Sequence, residues 1–105
     1  MSSGVFRLRE PGEVDPSSVL TGPLRAIRRV RLAAGEESPF AATDCEFTLF
    51  VLAGTGTVLA GSAEVPLHYG VSVTAPLNTV LRVVAGAQGL EYFLAELKVG
   101  GRGQE

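Results

Sequence analysis

From Leu24 to Val99 the chain is written in short apolar, β-branched runs that glycine or proline breaks about every ten residues. The runs are LRAIRRVRLAAG (24–35), EFTLFVLAG (46–54), TGTVLAG (55–61), SAEVPLHYG (62–70), VSVTAP (71–76), TVLRVVAG (79–86) and LEYFLAELKV (90–99). No run is long enough to sustain an apolar period of 3.6 residues over several turns. The pattern therefore predicts an all-β chain folded as an antiparallel sandwich or barrel. GTGT (54–57) is expected to be a hairpin turn. It resembles a phosphate loop only superficially, because such a loop needs a different glycine spacing and a following helix. PGEVDPSSVLTGP (11–23) carries three prolines and is expected to be loop or edge strand. The tail GGRGQE (100–105) is expected to fray.

The 105 residues are expected to form a single domain, with 1–23 as an N-terminal arm or edge strand, 24–99 as the barrel and 100–105 as a tail. With 46% apolar and 19% charged residues the chain can bury a core and is not a disordered polymer. A net charge of −2 provides no basic field for nucleic acid or an anionic membrane, so neither is expected as a partner. The longest uncharged stretch, Phe47 to Ala63, is interrupted by Gly54, Gly56 and Gly61 and does not read as a membrane helix. The N-terminus has no apolar run of signal-peptide length. Cys45, the single cysteine, cannot form an internal disulfide, which fits a reducing compartment. These features together predict a cytoplasmic protein.

Within TDCEFTLFVLAG (43–54), strand alternation puts Thr43, Cys45, Phe47, Leu49 and Val51 on one face and Asp44, Glu46, Thr48 and Phe50 on the other. The first set is the more apolar and is assigned inward; a slip of one residue would reverse the assignment.

The spacing of glycine and proline through this region resembles that of the cupin family, small β-barrels of jelly-roll type. The first cupin motif is G(X)5HXH(X)3,4E(X)6G. Its intervals fit Gly35, Ala41, Thr43, Phe47 and Gly54. The second motif is G(X)5PXG(X)2H(X)3N. Its intervals fit Gly70, Pro76, Asn78, Leu81 and Ala85. Asn78 replaces a motif glycine and is the substitute that best tolerates left-handed φ. The resemblance covers about Leu32 to Val99 and implies a cupin-type jelly-roll barrel of two packed antiparallel sheets. It places the family's metal ligands at Ala41, Thr43, Phe47 and Leu81, where only Thr43 carries a polar atom. A divalent metal needs three or four converging N, O or S donors, so no metal and no other cofactor is expected at that centre. Glu46, one position from the motif glutamate, is sent to the opposite face by strand alternation.

The lumen on this reading is lined by Ala41, Thr43, Cys45, Phe47, Leu81 and Val83, a wall suited to a small, largely apolar molecule. His68 and Tyr69 are the only adjacent general acid/base pair, and their place beside Gly70 predicts an exposed turn. Cys45 as a nucleophile would need a base or a positive field; otherwise it packs as a small hydrophobe. Arg25, Arg28, Arg29 and Arg31 read as the charged guard of an edge strand, or as an anion-holding patch. Three functions stay open: a metal-free cupin binding a small molecule, a metal-independent isomerase, cyclase or lyase, and a structural or interaction protein with a filled barrel. The resemblance also implies a homodimer paired through its N-terminal strands.

Overall fold

The computed structural model describes residues 7–16 and 22–99. Seven strands follow in order: β1 (Gly12–Val14), β2 (Leu24–Leu32), β3 (Glu37–Ala41), β4 (Cys45–Ala60), β5 (Ala63–Leu67), β6 (Ser72–Ala75) and β7 (Val80–Lys98). Every pairing is antiparallel, and together the strands make one hydrogen-bonded sheet ordered β1-β2-β7-β4-β5, with β3 on β7 and β6 on β4.

Two long strands turn this sheet into a barrel. The C-terminal half of β7 pairs with β2 and with the first half of β4, from Cys45↔Lys98 to Gly54↔Leu90. Its N-terminal half pairs with β3 and with the second half of β4, from Gly56↔Ala85 to Leu59↔Arg82. Each long strand thus crosses a corner and serves both layers. At the corner the register shifts between Val51 and Ala53 and again between Gly54 and Gly56. Glycine is required there by space. A Cβ on Gly54 would lie 2.2 Å from the Gly89 carbonyl oxygen, and one on Gly56 would lie 2.5 Å from that of Val84.

This corner corrects two expectations. GTGT is no hairpin turn: it bends a continuous β4, and the reversal comes later, at Gly61–Ser62, between the paired Ala60 and Ala63. Segments 79–86 and 90–99 are not two strands but one, β7. Glycine marks a chain reversal and a strand bend with the same letter, and only the partner strand distinguishes them. The segment before Cys45 also holds a strand that the apolar runs do not show. In β3, Pro39 lacks an N–H, which is tolerated because β3 pairs on one side only, with β7. The arginine-rich β2 is not an edge: it lies between β1 and β7, and β1 takes the edge. The tail 100–105 and parts of the N-terminal arm lie outside the described residues.

Other expectations match the structure. Asn78 has φ 71°, β6 stops just before Pro76, and Cys45, Leu49 and Val51 are buried while Asp44 and Phe50 are exposed. The core joins both layers. Leu49, Val51, Leu90, Tyr92 and Leu94 from one meet Val58, Leu81, Val83 and Ala85 from the other.

Candidate functional site

Directly opposed residues in an antiparallel pair share a face, so register tells which side chains enter the barrel. On β7 the inward series is Leu90, Tyr92, Leu94 and Glu96, and β2 matches it with Leu32, Val30, Arg28 and Ala26. On β4, Phe47 opposes Glu96, Leu49 opposes Leu94 and Val51 opposes Tyr92. On β3, Ser38 opposes Val83 and Phe40 opposes Leu81.

The interior is graded from floor to mouth. The floor is aliphatic, with Leu32, Val58, Val83, Ala85 and Leu90 buried together. The middle is aromatic: Phe40 lies 5.6 Å from Phe47 and 6.5 Å from Tyr92, centroid to centroid, the latter edge-on. Nearer the mouth stands a charged collar. Glu96, 8% exposed, takes Arg28 at 3.2 Å and Arg25 at 3.7 Å, and Arg28 also donates to Glu13 at 3.2 Å. Arg25 in turn donates to the Cys45 sulfur at 2.7 Å. Arg29 and Arg31 face the other way from Arg28, and both bind Glu91 on the outside. That pairing, led by the hydrogen bond from Arg29, holds the Glu91 carboxyl below its ordinary value.

The residues singled out from the sequence disperse. Leu81 and Val83 are buried in the inner wall, and Phe47 is half-buried against it. Cys45 is buried beneath Arg25. Ala41 opposes Val80, which is 70% exposed, so Ala41 sits on the outer side of β3, and Thr43 is exposed at the rim. The structure brings neither into the lumen wall; Phe40 and the buried Ala42 take the inward positions instead. The alternation assumed over 41–47 is interrupted by the bend at Thr43–Asp44, a one-residue offset that spacing alone cannot reveal. His68 and Tyr69 are exposed between β5 and β6, with Tyr69 edge-on to Phe50 on the outer surface. Glu46 faces outward, where its carboxylate accepts from the Leu77 N–H at 3.0 Å.

The chemistry open to these groups is narrow. Burial pushes the Cys45 thiol above its ordinary value, a hydrogen bond with Asp44 adds to the rise, and Arg25 opposes it. The result is a protonated thiol at neutral pH, a poor nucleophile. Thr43, Cys45 and His68 do not converge, so no acid/base set assembles from them. The positions where the resemblance places metal ligands, Ala41, Thr43, Phe47 and Leu81, offer a single hydroxyl, and no group of three His, Cys, Asp or Glu among the described residues could hold an ion. The groups missed by sequence reading are Ser38, Tyr92 and Glu96, while Arg28 stands out there only as one of four arginines in a patch. Their only advance signal is that each falls at an inward position of its strand, which is legible once register is known.

Tyr92 is the least ordinary of these. It is 0% exposed, and burial raises its pKa. A side-chain hydrogen bond with Ser38 and the charge of Arg28 act in the opposite direction, so Ser38 is the available partner for a hydroxyl that makes no close hydrogen bond among the described residues.

A bent antiparallel sheet folded over a shared apolar core defines a cupin fold. Solved structures agree. A cupin protein from Bacteroides fragilis superposes with a TM-score of 0.74 at 17% identity, over 94% of this chain and 85% of that one. A cupin 2 conserved barrel domain protein from Salinispora arenicola gives 0.74 at 16%, over 99% and 94%. A predicted oxalate decarboxylase from Thermotoga maritima gives 0.71 at 15%, over 91% and 100%. Identities this low establish the fold and nothing finer. No protein-family model matches the chain, and no curated protein matches it at a significant level. No helix among the described residues is long and apolar enough to cross a membrane.

Proposed function

We propose that this cupin barrel binds a small, largely apolar molecule in its lumen, without a metal. The carrying observation is the aromatic trio of Phe40, Phe47 and Tyr92 between an aliphatic floor and a charged collar. Rings at these spacings offer edges and faces to an apolar guest. Native mass spectrometry of the protein isolated from its own source tests the reading. A small organic adduct that is released on denaturation is expected. One stoichiometric metal per chain would contradict the metal-free part of the proposal.

A second reading is an interaction module, favoured by an outer hollow of about 310 Å³ bordered by Leu24, Ile27, Phe50, Phe93 and Ala95. An outer sheet face this apolar suits a second copy of the chain, giving a homodimer. Sedimentation would then show a dimer that Phe50→Glu dissociates; a monomer in both cases would remove this reading.

A further inference from the structure

We infer that two copies of the chain join edge to edge through β6, antiparallel about a two-fold axis at Val73, so that their outer sheets run on as one. The inference rests on the homodimer reading above and gives the second copy its seat. Among the described residues β1, β3, β5 and β6 each have a single partner strand, so each leaves an edge. Three of these edges carry a device that resists pairing. β1 is 3 residues long and includes Glu13. β3 holds Glu37 and Pro39, and β5 holds Glu64 and Pro66. β6, Ser72–Ala75, has neither charge nor proline.

The pairing of β6 with β4 fixes what the open edge presents. The Val51 N–H donates to the Val71 carbonyl at 2.9 Å, and Leu49 opposes Val73. Antiparallel pairs alternate between bonded and non-bonded, so Val71, Val73 and Ala75 turn their backbone groups to β4, while Ser72 and Thr74 turn theirs to the open edge. The side chains divide in the same way: Val71, Val73 and Ala75 pack with the core, and Ser72 and Thr74 are exposed. From 71 to 75 the chain thus reads apolar, hydroxyl, apolar, hydroxyl, apolar in either direction, as a self-complementary pair requires. With Val73 opposite its own copy, Ser72 of each chain opposes Thr74 of the other, each such pair can exchange both N–H···O bonds, and inward residues meet inward residues. A register centred on Thr74 would set Ser72 against Pro76, which has no N–H. Phe50, 41% exposed, opposes Ser72, and Tyr69, 71% exposed, stands edge-on to Phe50, so apolar surface flanks the seam. The joined sheet ends on β1 at both sides, which closes the assembly at two.

Sedimentation equilibrium of the wild type, Thr74→Pro and Phe50→Glu tests this seam. Proline at 74 removes the N–H that faces the open edge, a place where a strand tolerates proline, so the single chain keeps its fold while the seam is blocked. The expected result is a wild-type dimer whose dissociation constant rises on the order of hundredfold in Thr74→Pro. Cross-linking gives a second reading that does not depend on that variant. Val73→Cys meets its copy on the axis and should form a disulfide-linked dimer under mild oxidation, whereas Thr74→Cys, off the axis, should not. The native Cys45 is buried and does not compete. A wild-type dimer that Phe50→Glu dissociates and Thr74→Pro leaves intact would remove the β6 seam while the homodimer stands. Thr74→Cys cross-linking as readily as Val73→Cys would do the same. A wild type that stays monomeric would remove both.

Discussion

At the scale of single residues, Cys45 illustrates how position governs chemistry. Its sulfur is buried, carries the Arg25 guanidinium at 2.7 Å and keeps its proton. Cys45→Ala should therefore lower stability by about 1–2 kcal/mol in chemical denaturation, as a core truncation does, and leave ligand affinity unaltered. Glu96 lies deeper in the same collar. Glu96→Gln removes the carboxylate shared by Arg25 and Arg28, whose guanidiniums can still reach water, so a loss of about 1–2 kcal/mol is expected by the same measurement. Glu91 gives a pH signature. Its folded pKa is depressed, so its ion pairs with Arg29 and Arg31 contribute stability above the unfolded value, and that contribution is lost as pH falls through the folded one. Glu91→Gln should make the acid limb of stability against pH shallower while changing the curve's shape little at neutral pH.

At the scale of elements, the corner where β4 and β7 bend is the device on which the barrel depends. Gly54 has φ 82° and no room for a Cβ, whereas Gly61 has φ 61° with open space around it. Gly54→Ala should cost about 3 kcal/mol or more, combining left-handed strain with a clash against the Gly89 carbonyl. Gly61→Ala should cost about 1 kcal/mol, from strain alone. Equal costs in equilibrium unfolding would show that close approach at the corner is unimportant. The same corner explains what the sequence disclosed and what it hid. Alternation identified the buried face of β4 through Cys45, Leu49 and Val51, because those residues lie within one regular stretch. Pro76 and Asn78 were legible because their constraints are local. The bend at Gly54, the strand at 37–41 and the offset that exchanges Ala41 and Thr43 for Phe40 and Ala42 were not. Each of them depends on β7, a strand distant in sequence.

At the scale of the whole molecule, the architecture separates a lumen from an outer sheet face, and each carries its own hypothesis. The interior is graded from aliphatic floor through aromatic middle to charged collar. The outer face offers Ile27, Phe50 and Phe93 around a shallow hollow. Residue spacing pointed to the barrel, but Arg28, Ser38, Tyr92 and Glu96 come together only through closure, so the site's polar members could not be read from local patterns. The most direct test of lumen binding follows backbone and side-chain NMR shifts while acetophenone is added to the protein. The account predicts saturable shifts at Phe40, Phe47, Leu81 and Tyr92. Saturable shifts confined to Ile27, Phe50 and Phe93, with the lumen residues unmoved, would contradict it.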